Sequence, residues 1–347
     1  MVETLWFILV AFMLTMYVLL DGFDLGAGAI NLSVAKSDRE RRLVLRSIGP
    51  VWDGNEVWII AAGGTLFFSF PLLYASSFSG FYLPLIIVLW LLMIRGLSIE
   101  LRGHIESPVW ASFWDGMFFL GSTLLAVFYG VALGNVVRGV PIGEDGFFFQ
   151  PLWTDLSPFS ANPGILDWYT ILTGLLALTT LVVHGANWVA LKTENELNAR
   201  ARRAARIGWA ALVFLTVLTT VATFSLSPEM LSSFAKRPWG VVFPALAVAG
   251  LALMGYFGFR QRDRSAFLSS GAYIVGMMAS TAFAIYPNVL PAVEPENSLT
   301  VYNASGSAYG LAVGLAWWSI SMVLAAIYFV LIYRLFRGKV SLEDDGY

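Results

Sequence analysis

The chain contains no cysteine. That excludes disulfides, thiolate catalysis, iron–sulfur clusters and zinc–thiolate sites. Charge is also scarce. Asp, Glu, Lys and Arg make up 13% of the 347 residues, about half the share of an ordinary soluble domain. The net charge of −2 provides no field that would gather nucleic acid or an acidic substrate. No phosphate-binding glycine loop, dinucleotide fingerprint, nucleophile–base pair or metal-ligand cluster is present. The first residues, Met1-Val2-Glu3-Thr4, lack the basic region of a secretion signal and no small-residue cleavage site follows, so the first apolar segment reads as retained.

What is abundant is apolar length. Hydrophobic residues form 58% of the chain and mean hydropathy is +0.72. They come in blocks of about 20 or more, the pattern of a helical multi-pass membrane protein. Nine spans are expected, at about 5–34, 50–73, 78–101, 113–136, 165–191, 204–226, 239–259, 267–286 and 309–336. With nine spans, 18 of the 21 Lys and Arg residues fall on one side, leaving Arg138, Lys236 and Arg237 opposite. Read by the charge bias of cytoplasmic loops, this places the N-terminus outside and the C-terminus in the cytoplasm.

The chain is expected to form one integral-membrane domain over 1–347. A faint internal echo, Asp21-Gly22 against His184-Gly185 and Gly134-Asn135-Val136 against Pro287-Asn288-Val289, suggests a repeat of about 1–141 on 165–291. It corresponds to two four-helix bundles, with 309–336 as one peripheral helix. The long outer loops 139–164 and 287–307 do not read as folded domains and are expected to lie as lids on the bundle.

The polar residues within the spans are the informative ones. Asp21 and Asp24 are three apart and share a face of the first span. Asp21 lies about 24 Å along the helix from Leu5 at 1.5 Å per residue. The run Gly49-Pro50-Val51-Trp52-Asp53-Gly54-Asn55-Glu56-Val57-Trp58 opens the second span and carries Asp53 and Glu56, again three apart. Both pairs should therefore lie toward the cytoplasmic side. Gly26-Ala27-Gly28-Ala29 allows another helix to approach closely. Arg95, Glu100, Arg102, His104 and Asp115 fall at similar depth, with Glu100 expected to pair with Arg95 or Arg102 and Asp115 to cap its helix or favour its dipole.

A carboxylate in hydrocarbon costs several kcal/mol unless it is paired, hydrogen-bonded or protonated. The acids outnumber the nearby bases, so two readings stay open for Asp21, Asp24, Asp53 and Glu56: structural ion pairing, or a proton-collecting half-channel. Trp52 and Trp58 read either as interfacial anchors or as shields for the acids between them. His104 is expected to be solvated. His184 reads as a packing residue or as a lone haem or metal ligand. The ten Met residues read as core.

The stretches Asp21-Gly22-Phe23-Asp24-Leu25-Gly26-Ala27-Gly28, Arg41-Arg42 and Ile48-Gly49-Pro50-Val51-Trp52-Asp53-Gly54-Asn55-Glu56-Val57-Trp58 strongly resemble subunit II of the cytochrome bd-type quinol oxidases. Supporting matches are Ala75-Ser76-Ser77-Phe78-Ser79-Gly80-Phe81-Tyr82, Arg95 to Arg102, Gly134-Asn135 with Gly139-Val140-Pro141, and Tyr286-Pro287 with Asn303-Ala304-Ser305. The resemblance covers all nine spans. It implies an accessory subunit of a terminal oxidase in the cytoplasmic membrane of a bacterium or archaeon, which oxidises quinol and reduces oxygen to water. Subunit I would carry the haems b and d and the quinol site. This chain would bind no haem itself, although family members also hold a structural quinone or lipid. A small single-span subunit belongs to the same expectation, and no nucleic acid does. Asp53 is carried over to proton uptake; Asp21, Asp24 and Trp52 match positions tied to proton access or to the subunit interface. Asn55, Glu56 and Trp58 are assigned to the same proton path or subunit interface, with Arg95, Glu100 and Arg102 as supporting ion pairs. Glu56 stands where some members have glutamine. The competing reading is a stand-alone proton- or cation-coupled transporter, which would need polar groups in the outer half to complete a path.

Overall fold

A computed structural model describes residues 1–158, 160 and 163–341. Twelve α-helices dominate them: α1 (Val2–Val34), α2 (Asp38–Ile48), α3 (Trp52–Ser69), α4 (Pro71–Gly80), α5 (Tyr82–Leu101), α6 (Pro108–Arg138), α7 (Trp168–Lys192), α8 (Asn195–Leu226), α9 (Pro228–Lys236), α10 (Val242–Phe259), α11 (Asp263–Ile285) and α12 (Ala308–Leu335). Eight segments are long and apolar enough to cross a membrane, and nine if the bent pair α3–α4 makes one crossing.

Local chemistry sets the boundaries. The α7 start is a capping box: Asp167 accepts from the Thr170 amide at 2.7 Å, and the Thr170 hydroxyl accepts from the Asp167 amide at 2.9 Å. Ser107 and Ser307 cap α6 and α12. The second expected span is corrected at its far end. The helix stops at Ser69 rather than at Leu73, and α4 leaves it at 120°. Pro71 cannot donate a backbone hydrogen bond and bars its predecessor from helical geometry; Phe70 accordingly has φ −135° and ψ 67°. The helix α3, about 27 Å long at 1.5 Å per residue, still matches the thickness of a bilayer core. The helix of the sixth expected span, α8, begins nine residues earlier than expected, at Asn195, so Arg200, Arg202 and Arg203 are helical rather than part of a link.

Helix α1 packs on α3 and on α6, and α6 on α5; α7, α8, α10 and α11 pack in succession, and the two groups meet along α1, α6, α7 and α11. Helix α12 touches chiefly α1, and most of its surface is exposed apolar side chain. The α1–α7 crossing is tight. A Cβ on Gly26 would sit 1.9 Å from the Leu181 carbonyl, and one on Gly185 would sit 2.3 Å from the Gly26 carbonyl carbon. Small residues thus replace the hydrophobic drive that lipid cannot supply.

The two long loops cover the end of the bundle opposite the basic side. Strands β1 (Asn288–Leu290) and β2 (Leu299–Thr300) pair antiparallel. The first loop joins them: the Val140 amide donates to Pro291 and its carbonyl accepts from Val293, each at 3.0 Å. Val140, Ile142, Phe148, Leu290 and Val301 form one apolar cluster with Trp6 and Phe70. In the first loop, residues 159, 161 and 162 lie outside the described residues, as do 342–347 at the end of the chain.

Candidate functional site

Helices α1 and α3 run antiparallel: Asp24 meets Asn55 at one end and Met13 meets Thr65 at the other. The pairs Asp21/Asp24 and Asn55/Glu56 therefore face each other at one depth, although they come from opposite ends of consecutive spans. Helix α5 inserts Arg95 between them. One guanidinium nitrogen of Arg95 donates to both Asp21 oxygens at 2.7 and 2.8 Å, and the other donates to Glu56 Oε2 at 3.0 Å. Asp21 and Arg95 are fully buried, whereas Glu56 keeps 19% of its side chain exposed. The Trp52 ring lies 5.9 Å from the Arg95 guanidinium.

Asp24 is buried too, but no base touches it. Its Oδ2 accepts from Asn55 Nδ2 at 2.8 Å, and its Oδ1 has no hydrogen-bond partner among the described residues. Asn55 is anchored in turn by Tyr333 of α12, whose hydroxyl donates to Asn55 Oδ1 at 2.9 Å. One guanidinium thus faces Asp21 and Glu56 directly and Asp24 at longer range. A single positive charge cannot neutralise three carboxylates, so at least one of them must be hydrogen-bonded as an acid, protonated or watered.

The other sequence candidates divide. Trp58 is buried against Phe12 and Phe329, and its indole N–H has no partner among the described residues. Asp53 stands on the exposed face of α3, one turn from Glu56 and outside the buried cluster. The expected Glu100 ion pair is corrected. Glu100 points to the exterior and makes no ion pair among the described residues; only its carbonyl is engaged, by His104 Nδ1 at 2.9 Å. Its position on α5, five residues beyond Arg95, turns it away from the face that Arg95 occupies.

Arg102 pairs elsewhere. Its Nε and Nη2 donate to the two oxygens of Asp115 at 2.7 and 3.0 Å, and Nη2 also reaches Asp38 at 2.8 Å. Arg41 adds a bond to Asp115 at 3.0 Å. Asp115 therefore does not cap its helix; it lies two turns inside α6 and ties α2, α5 and α6 together. The hydrogen bond from Arg102 holds the Asp38 carboxyl below the ordinary carboxylate range.

His184 does not present a ligand nitrogen. Its Nδ1 lies 2.7 Å from the Ser270 hydroxyl and its Nε2 lies 3.0 Å from the Leu19 carbonyl, so Nε2 carries the proton and both nitrogens are engaged. The ring stacks on Phe267 at 4.7 Å. These residues do not fit an axial haem ligand, and no group of three or more metal-ligating side chains occurs among the described residues. Sequence reasoning missed Tyr333 and Arg41. Tyr333 lies 278 positions from Asn55, so no local spacing links the two; Arg41 reads as one of many inner-side charges.

A family model for the cytochrome bd terminal oxidase subunit II matches residues 2–336. The chain is 33% identical to a probable cytochrome oxidase subunit 2 of Haemophilus influenzae, covering 97% of this chain and 94% of the relative. It is 31% identical to the cytochrome bd-I ubiquinol oxidase subunit 2 of Escherichia coli K12, covering 98% and 95%. It is 32% identical to the cytochrome bd ubiquinol oxidase subunit 2 of Bacillus subtilis, covering 98% and 97%. A chain in the bd oxidase structure from Geobacillus thermodenitrificans superposes with a TM-score of 0.74 at 18% identity, over 96% of this chain and 98% of that one, which shows a shared fold.

Proposed function

The chain belongs to the cytochrome bd terminal oxidase subunit II family, and on that premise we propose that its buried carboxylates supply protons to a haem-bearing partner. It is a multi-pass membrane subunit of a cytochrome bd ubiquinol oxidase, an oxidoreductase complex, and not a stand-alone transporter. The partner is subunit I, which would hold haems b and d and the quinol site. Haem there would bind oxygen and pass electrons to it; this chain contributes no ligand. The complex would sit in the cytoplasmic membrane with the basic side of this chain inward.

One observation supports the proton role: Asp21 and Glu56 share the single guanidinium of Arg95, and Asp24 lies buried beside them with no base in contact. Charge neutrality inside the bilayer would need as many bases as carboxylates. The surplus makes this cluster a place where a proton can be held inside the bilayer. Asp53, exposed on the same helix one turn before Glu56, collects protons at the surface. Glu56, partly exposed, passes them inward past Arg95. Asn55 and Tyr333 hold Asp24 in place. Trp52 covers the guanidinium and Trp58 packs α1 against α12.

The test is Asp53→Asn in the purified complex. Oxygen consumption should fall at least several-fold while the haem absorption spectrum stays unchanged. Intact turnover with poor assembly would instead assign the acids a scaffolding role.

A further inference from the structure

On the basic side of the bundle, the ends of α7 and α12 and the start of α11 enclose an open cleft of about 960 Å³. Six cations line it: Arg46, Lys192, Arg264, Arg334, Arg337 and Lys339. No acid lines it among the described residues. Three of the cations build its walls. Lys192 donates to the Phe336 carbonyl at 2.5 Å, and Lys339 donates to the carbonyls of Ala190 and Thr193 at 3.1 and 2.7 Å. Arg46 donates to the Ser341 carbonyl at 2.9 Å. The two lysines thereby satisfy carbonyls at the ends of α7 and α12. The guanidinium groups of Arg264, Arg334 and Arg337 are different: they have no hydrogen-bond or ion-pair partner among the described residues.

The cleft floor is apolar, formed by Pro50, Val51, Trp188 and Leu191. Basic residues at helix ends are ordinary in membrane proteins, and a flat scatter of them would point to nothing. Here they converge on a concave volume with an apolar base at the level where helices leave the bilayer. That volume lies within the range of small-ligand sites.

We propose that this cleft binds the phosphodiester headgroup of an anionic phospholipid, with Arg264, Arg334 and Arg337 facing the phosphate and Trp188 and Leu191 facing the upper acyl chains. Among the described residues no carboxylate lines the cleft, which selects against zwitterionic lipids, whose ammonium would meet only cations. The apolar floor selects against free phosphate, which would leave it wet. The site is separate from the carboxylate cluster and does not depend on how that cluster handles protons.

The experiment is lipid retention by the whole purified oxidase complex, read by native mass spectrometry after exchange into phosphatidylglycerol or phosphatidylcholine micelles. Phosphatidylglycerol should be retained preferentially. Combined Arg264→Gln, Arg334→Gln and Arg337→Gln should weaken retention by roughly 100-fold, about fivefold for each basic side chain. The corresponding triple Arg→Lys variant should keep it, which controls for misfolding. Three results would overturn the proposal. One is equal retention in the glutamine variant. Another is displacement of lipid by inorganic phosphate at equal concentration. The third is retention only after Glu343, Asp344 and Asp345 are neutralised, which would mean that the chain's own acids fill the cleft.

Discussion

Arg95 and Asp21 lie 74 positions apart in the chain, yet one nitrogen of Arg95 reaches both oxygens of Asp21, with neither side chain exposed to solvent. The contact fixes α5 against α1 and brings Glu56 of α3 into the same guanidinium. Removing the arginine alone would strand buried negative charge. Arg95→Gln should therefore destabilise the subunit by about 3–5 kcal/mol, the usual cost of breaking a buried pair from one side. Thermal unfolding of the purified complex measures it. Arg95→Gln with Asp21→Asn should recover a large part of the loss, since the stranded charge goes with its partner.

Tyr333 orients Asn55, and Asn55 donates the one hydrogen bond that Asp24 receives. Tyr333→Phe deletes a hydroxyl and leaves the Asn55 oxygen without its donor, a loss of about 1–3 kcal/mol. Oxygen consumption should fall several-fold with the haem spectrum unchanged. A variant indistinguishable from the parent in turnover at all pH values would remove Tyr333 from the account.

At the α1–α7 crossing, Gly26→Ala would place a methyl 1.9 Å from the Leu181 carbonyl. The helices would have to separate, at a cost of about 1–3 kcal/mol or more. Gly63→Ala is the control, since nothing lies within 4 Å of its Cβ position. Melting temperature should drop for the first and stay level or rise for the second, because alanine is the better helix former by about 0.5–1 kcal/mol.

The Asp38–Arg102 bond gives the surface helix α2 a pH dependence. The folded Asp38 carboxyl is depressed, chiefly by the Arg102 hydrogen bond. Its contribution is therefore fully present above the ordinary carboxylate range and is lost as pH falls through the lower folded value. The group is half exposed, so the effect is small. Protection of the amides of residues 38–48, taken relative to the intrinsic exchange rate at each pH, should fall only in acid, and Asp38→Asn should reduce that dependence.

Much of this arrangement is legible in the sequence because lipid imposes strong rules. Long apolar runs become helices, and Lys and Arg gather on one side. Acid pairs three residues apart share a face, and their distance from the span ends puts Asp21, Asp24 and Glu56 at one depth. The rest escaped for physical reasons. Hydropathy sees apolar length, so the charged, amphipathic α2 and the first two turns of α8 read as links. Pro71 sits inside an apolar run, and a run does not show that its axis turns. Asp115 reads as a helix-start acid because its partners, Arg41 and Arg102, arrive from other helices. Tyr333 carries no local signal at all, since its role depends on α12 returning to α3. Glu100 is close in sequence to two arginines, but helix geometry points it away from both.

The central claim is that carboxylates in excess of Arg95 hold and pass protons for oxygen reduction next door. Proton uptake from bulk solution, followed with a pH indicator as the fully reduced complex is mixed with oxygen, tests this directly in Asp24→Asn. The account predicts that uptake slows at least tenfold while electron transfer to oxygen begins at the normal rate and the haem spectrum is unaltered. Proton uptake at the parental rate and stoichiometry in that variant would contradict it.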